Sequence, residues 1–233
     1  MGVFHPPSSI FKHLSHEVVL LNISQEIIVL ARNGEILKKL ARTGWALAGV
    51  DSVRQESVGE HSYGTILISL MISKALLKEG ERVDLSKVCM LATLHDLPES
   101  MTSDIPRLTV DLGGDLLQEG KKEAEKKAIQ FISKKSKFFG EWLVNSWKDM
   151  EGVSSIEARI VHGADKIDML VHAVSLETSG VSPKILNRFF INSYTSLKEL
   201  KIDLVEDIFW NLYREHIENA KGMRVKLKEI TRI

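Results

Sequence analysis

SVGEHSYGTILISLMISKALLKEGERVDLSKVCMLATLHDLPESMTSDIP, residues 57–106, is the stretch around which the rest of the chain must be arranged. Ser57 and Glu60 have the S-x-x-E spacing of a capping box, so a helix begins near Val58. His61 falls in its first turns, ahead of Ile66, Leu67, Leu70, Met71, Leu76 and Leu77, and Gly80 stops it. Asp84 suits the N-cap of a second helix carrying Val88, Leu91, Ala92 and Leu94. Pro98 disfavours helical geometry at Leu97, which puts His95-Asp96 in that helix's last turn. Two apolar helices lying side by side bring His61 within reach of His95. Far downstream, Ser154 and Glu157 repeat the capping-box spacing, and the helix behind them runs to about Thr178, before Gly180. Its core side carries Ile160, Ala164, Ile167, Val171 and Val174, while Asp165, Asp168 and His172 share a neighbouring stripe.

Imidazole and carboxylate together suit a divalent metal of borderline character, and a site with few protein ligands leaves positions open for water. His61, His95, Asp96 and Asp165 are the candidate set. They are 34 and 69 residues apart in the two long intervals, so only the fold can bring them together. Taken singly, each has a plainer reading. A lone histidine beside an apolar helix is more often a satisfied core or surface residue, and a lone aspartate is a solvated one.

The joint context changes that balance. Arg42-Thr43-Gly44-Trp45 is followed by Glu56-Ser57-Val58-Gly59-Glu60-His61-Ser62. Then come His95-Asp96-Leu97-Pro98-Glu99, Ser103-Asp104-Ile105-Pro106 and Ala164-Asp165-Lys166. In order and spacing these resemble the HD-domain superfamily of metal-dependent phosphohydrolases, and within it the 5'-deoxynucleotidase family. The match runs from about Leu40 to about Leu176. The H…HD…D skeleton marks only the superfamily; the elements around it are more specific. The resemblance implies one divalent ion (Mn, Co, Mg, Zn or Ni) on His61, His95, Asp96 and Asp165. It implies Glu99 as the catalytic acid/base, and Arg42 and Trp45 on the phosphate and nucleoside. The loop Asp104, Ile105, Pro106 and Arg107 would meet the sugar. The implied substrate is a deoxyribonucleoside monophosphate, and the implied assembly is a homodimer.

The same residues carry chemistry of their own. Arginine presents a permanently charged fork suited to phosphate oxygens. Alternatively, Arg42 is a basic residue at a helix end and Trp45 a core side chain. Glu99, close to the His-Asp pair, is placed to move a proton. Asp104 precedes an extended Ile-Pro, so its carboxylate projects from a stiff loop. A carboxylate there could discriminate at the sugar, although rejecting one extra hydroxyl by crowding alone gives only about a hundredfold.

The whole chain sets further bounds. Its 233 residues carry 31 basic and 31 acidic side chains, a balance that argues against a broad electrostatic footprint on nucleic acid. No run approaches a membrane span and no signal core opens the sequence, so a cytoplasmic protein without a membrane partner is expected. The single Cys89 allows no internal disulfide and sits in an apolar run, which reads as a buried thiol.

We expect an all-α, HD-type helical bundle. Residues 1–34 form an extension, 35–180 the phosphohydrolase domain, and 181–233 a helical extension packed on it. Within 1–34 the apolar clusters suit either a short helix from Ser24 or a hairpin. His5, His13 and His16 read as surface residues, and so does Arg54. Asn33-Gly34 reads as a break, Glu35–Arg42 as a helix, Asp111–Gly114 as a turn and Asp115–Lys134 as a charged helix. Phe138 to Met150 form an aromatic amphipathic helix, in the core or at a dimer contact. Helices over 186–200 and 204–220 and a frayed basic tail complete the chain. Two other functions compete: an HD-type phosphohydrolase acting on a nucleoside triphosphate or cyclic nucleotide, and a non-catalytic interaction protein with a structural metal.

Overall fold

A computed structural model of the chain describes residues 8–50 and 55–231. His5, Arg54 and the side chains of His13 and His16 lie outside the described residues. The regular structure described consists of helices and one isolated bridge, so the chain is all-α as expected.

The two helices that open with serine caps form the centre. In α3 (Val58–Lys78), Ser57 accepts from the Glu60 amide at 3.1 Å, and the Glu60 carboxylate accepts from the Ser57 amide at 2.9 Å. In α8 (Ile156–Thr178) the cap is Ser155, not Ser154: its hydroxyl accepts from the Ala158 amide at 3.1 Å. These two helices pack on each other more extensively than any other pair. The face of α3 turned to α8 is not its most apolar one. His61, Thr65, Ser69 and Ser73 are buried together with Ile72 and Leu76, whereas Leu67 and Met71 point to solvent, as does Val171 of α8. Small side chains let the axes approach closely, and Gly64 shows the limit: a Cβ there would lie 1.8 Å from the Asp168 carboxylate.

Around this pair sit α4 (Leu85–Leu94), α9 (Pro183–Glu199) and α10 (Asp203–Gly222). Their shared core includes Leu91, Ile160, Leu170, Phe190 and Phe209, all fully buried. Each such side chain contributes roughly 1.5–3 kcal/mol relative to exposure. Asp84 caps α4 as its sequence suggests, accepting from the Ser86 and Lys87 amides. Cys89 lies on the outer side of α4 and is exposed, because the buried stripe of that helix is Val88, Leu91 and Ala92.

Several local expectations are corrected. Neither a short helix from Ser24 nor a hairpin forms; α1 is one 30-residue helix, Ser8–Leu37, running through Asn33-Gly34. A helical glycine costs only about 1 kcal/mol. Packing of Leu30 and Leu37 against Val58, Leu97, Ile129 and Leu143 outweighs it. After Leu37 the chain makes a turn at Lys38-Lys39 and is then extended rather than helical. Ala41 bridges Ser57, with the Arg42 amide donating to Glu56 O at 2.9 Å and the Val58 amide to Leu40 O at 2.8 Å. Arg42 therefore precedes α2 (Thr43–Ala48) rather than closing a helix, and Gly49 ends α2 at φ 84°.

The short α5 (Glu99–Thr102) leads into α6 (Arg107–Ser133). The expected turn at residues 111–114 narrows to a kink at Gly114, with φ 59° and ψ −154°. The aromatic helix is α7 (Gly140–Gly152), with Leu143 and Met150 buried. The tail after α10 is tied down, not frayed: Asn187 donates to Lys228 O at 3.0 Å, and the Ile230 amide donates to the Tyr213 hydroxyl at 2.7 Å. No helix among the described residues is long and apolar enough to cross a membrane.

Candidate metal centre and active site

Three elements deliver the ligand set. The first turn of α3 carries His61, the end of α4 carries His95-Asp96, and the middle of α8 carries Asp165. His61 Nε2 is 3.0 Å from Asp165 Oδ1 and 3.8 Å from Asp96 Oδ2, while His95 Nε2 is 3.1 Å from Asp96 Oδ2. One ligand atom each of His61, His95 and Asp96 lie within 4.8 Å of one another. Atoms held about 2.1 Å from one ion stand roughly 3–4 Å apart, so the donor set fits a divalent cation. Asp165 joins the group through its contact with His61.

The tautomers agree with this. His61 Nδ1 is 2.7 Å from Asp168 Oδ2, and His95 Nδ1 is 2.8 Å from Ala92 O. With both Nδ1 atoms donating outward, both Nε2 atoms face the common centre, and each becomes a ligand once its proton is displaced by a cation. Three buried polar atoms here lack a well-formed hydrogen bond among the described residues: His95 Nε2 and Asp96 Oδ2, which face each other at 3.1 Å as an ion pair only, and Glu99 Oε2. Orphaned buried groups cost about 1–3 kcal/mol each, so a cluster of them is not a stability feature.

The electrostatics are polarised. Burial opposes the charge on both partners, but the attraction between them wins: Asp96 is held at about 2 by His95, and His95 rises to about 9 beside Asp96. Burial also opposes the ionisation of Asp165, yet the hydrogen bond from His61 holds it well below the usual range. Glu99 moves the other way. Burial first, and then the negative charges of Asp96 and Asp104, raise it well above the ordinary carboxyl value. Carboxyls with opposite shifts beside one cavity are the pattern that separates a ligand from a proton carrier.

A cavity of about 620 Å³ opens onto this centre. Arg42, Trp45, Asp96, Glu99, Asp165 and the segment Asp104, Ile105, Pro106 and Arg107 line it. Arg42 Nη1 is 3.9 Å from Asp96 Oδ2. Trp45 is 2% exposed, its indole N–H donating to Glu56 at 2.8 Å and its ring lying against Phe189 and His172. It therefore offers the cavity an edge rather than an open face. Asp104 is held by α2: Oδ2 accepts from the Thr43 amide at 2.6 Å and the Thr43 hydroxyl at 2.8 Å. Ser103 precedes it at φ 64°, a backbone strain that aims the loop.

Other lining residues escaped the sequence reading. Lys121 of α6 lies between Glu125 and the Ile105 carbonyl, and Lys166 and Met169 of α8 and Arg188, Phe189 and Asn192 of α9 are also part of the wall. Lys121 left one signal: with Ala124, Glu125 and Ala128 it follows the apolar stripe of α6 at i,i+3/i+4 spacing, a place where charge is costly. The α9 residues left none.

An HD domain model matches residues 34–202. The chain is 31% identical over 144 residues to the 5'-deoxynucleotidase HDDC2 of Dictyostelium discoideum, covering 60% of this chain and 72% of that one. The chain belongs to the HD-domain family, in its 5'-deoxynucleotidase branch. A second member of that branch, the 5'-deoxynucleotidase YGK1 of Saccharomyces cerevisiae, is 25% identical over 199 residues, which are 83% of this chain and 80% of that one. A conserved hypothetical protein from Pyrococcus furiosus has the same fold. It superposes with a TM-score of 0.67 at 30% identity, over 80% of this chain and 99% of the other.

Proposed function

We propose that this chain hydrolyses deoxyribonucleoside 5'-monophosphates to deoxynucleoside and phosphate, with a divalent metal on His61, His95, Asp96 and Asp165. The observation that carries the reading is that Asp96 and Glu99, on the wall of a nucleotide-sized cavity, and His95, beside them on a smaller cavity that shares both residues, keep buried atoms without hydrogen bonds. A divalent cation there supplies Lewis acidity to a phosphoryl oxygen and makes water easier to deprotonate.

The chain's own residues do the rest. Asp168 holds His61 by Nδ1 so that Nε2 faces the centre. Arg42 balances charge on the phosphoryl oxygens as water adds to phosphorus and the bond to the 5'-oxygen breaks. Glu99, whose burial beside Asp96 and Asp104 favours its protonated form, gives its proton to the departing 5'-oxygen and recovers one from the attacking water. The Asp104 oxygen not engaged by Thr43 accepts from the 3'-hydroxyl, and the Ile105-Pro106-Arg107 segment closes against the sugar. Trp45 backs the nucleoside end.

We take the assembly as a cytoplasmic homodimer. The exposed stripe Tyr63, Leu67 and Met71 of α3, beside Val171 of α8, is the face a second copy would cover. The deciding experiment is phosphate release from dAMP and AMP with Mn²⁺ or Co²⁺ added to the metal-stripped protein. We expect turnover that requires metal and favours dAMP. Equal rates on the two would remove the sugar role of Asp104, and no release from any nucleotide would remove the reaction.

A further inference from the structure

The wall of the cavity away from the metal centre is built by α9, and its layers are ordered. The Arg188 guanidinium lies 5.2 Å from the centroid of the Phe189 ring and forms no ion pair among the described residues. Phe189 rests on Trp45 at 4.6 Å, and Trp45 rests on His172 at 5.0 Å. The stack thus runs inward from a planar cation, through a partly buried ring, to a fully braced indole. Asn192 follows Phe189 by three residues, so it lies on the same side of α9 and also lines the cavity. Met169, which also lines the cavity, stands one turn of α8 beyond Asp165, about 6 Å along the helix axis.

We propose that Arg188, Phe189 and Asn192 form the nucleobase subsite of this cavity. The heterocycle lies flat on the Arg188–Phe189 layer, and the Asn192 amide, with one acceptor and two donors, meets its edge. A stack braced by Trp45 and His172 loses little conformational freedom on binding, which suits a platform. A guanidinium without a carboxylate partner keeps its face available for a π-system. This inference rests on reading the cavity as a nucleotide site, and it adds the part that grips the base rather than the phosphate.

The test compares dAMP with deoxyribose 5-phosphate, which keeps sugar and phosphate but has no base. In Phe189→Leu, Arg188→Ala and Asn192→Ala, the ratio of kcat/KM for dAMP to that for deoxyribose 5-phosphate falls, by about tenfold for the two stacking positions. Phe189→Leu keeps an apolar side chain against the core, and Asn192 is exposed, so the series does not hang on one variant's folding. Arg188→Lys separates stacking from charge: it behaves like Arg188→Ala if the plane matters, whereas wild-type ratios would assign Arg188 to a phosphate and overturn its place here. Calorimetric binding of deoxyadenosine, which has no phosphate to hydrolyse, gives a readout independent of turnover. Binding that weakens in these variants upholds the subsite even if no phosphate is ever released. Deoxyadenosine that fails to bind the wild type at millimolar concentration, or binds all variants equally, overturns it.

Discussion

Two clusters of buried histidine and carboxylate lie in this bundle, and they differ in one respect. At the C-terminal end of α8, His216 of α10 is fully buried between Glu177, which faces Nδ1, and Asn187, whose Oδ1 is 3.1 Å from Nε2. Asn219 donates to the other Glu177 oxygen at 2.8 Å, Asn187 passes its N–H to Lys228 O, and Phe190 stacks on the imidazole at 4.2 Å. None of the histidine and carboxylate atoms of this cluster is left without a partner. At the other cluster, near the start of α3, atoms of His95, Asp96 and Glu99 are left without hydrogen bonds on the walls of two cavities that share Asp96 and Glu99. Proximity of histidine to carboxylate therefore does not identify a functional site in this protein. Unsatisfied buried atoms on an open space do, because the folded chain bears their cost without repayment in stability.

Substitution should separate the two clusters sharply. Asp96→Ala should take phosphate release to background and remove metal binding, measured by calorimetric titration with Mn²⁺, in a protein that still unfolds cooperatively in urea although His95 has lost its carboxylate. His216→Ala should do the opposite. It leaves a buried carboxylate without its partner, a loss of about 3–5 kcal/mol in urea unfolding, with turnover per folded molecule retained. If Asp96→Ala unfolded the protein while His216→Ala stopped turnover, the contrast would be reversed and the assignment of the site with it.

Gly64 sharpens the comparison at its boundary. Asp168 belongs to neither extreme: it is satisfied by His61, yet it serves the open cluster by orienting a ligand. Gly64→Ala places a Cβ 1.8 Å from Asp168 Oδ1, so the carboxylate must leave His61. We expect a 10–100-fold loss of metal affinity, the range for losing a partner that orients a ligating histidine. Asp168→Ala should give the same loss, and the double variant Gly64→Ala/Asp168→Ala should be no worse than Asp168→Ala alone, because the clash is gone. Additive losses in the double variant would show that Gly64 acts on something other than Asp168.

How much of this was legible in the sequence follows the range of the interactions. The caps of α3 and α4 were readable because three residues determine them. His61, His95, Asp96 and Asp165 were readable only through a family pattern; in the structure His61, His95 and Asp96 lie together, and Asp165 contacts His61. The 30-residue α1 was not readable, since its continuity past Gly34 depends on Leu30 and Leu37 meeting residues as far away as Leu143, more than a hundred positions along the chain. The outward turn of Leu67, Met71 and Val171 was misread for a related reason: close α3–α8 packing selects small and polar residues for the interface, against the usual hydrophobic rule. Arg188, Phe189 and Asn192 gave no local sign, because a helix face becomes a cavity wall only when other helices leave space beside it.

Asp104 tests the contrast at its smallest scale. Its Oδ2 is engaged twice by Thr43 at the N-terminus of α2, while the residue as a whole lines the cavity, so it stands between the sealed cluster and the open one. Thr43→Val removes the hydroxyl and keeps the backbone N–H. A single hydrogen bond of this kind contributes about 1 kcal/mol, or roughly a fivefold change. If Asp104 serves the substrate, the loss appears as a fall in the dAMP-to-AMP ratio of kcat/KM, with kcat on dAMP nearly constant, because the carboxylate is less well aimed at the sugar. If Asp104 serves only to cap α2, the same kilocalorie appears in urea unfolding and the ratio stays where it was. Asp104→Asn should then separate aim from charge: the amide can still accept from Thr43, so a wild-type unfolding midpoint with an altered sugar preference would place Asp104 with the open cluster.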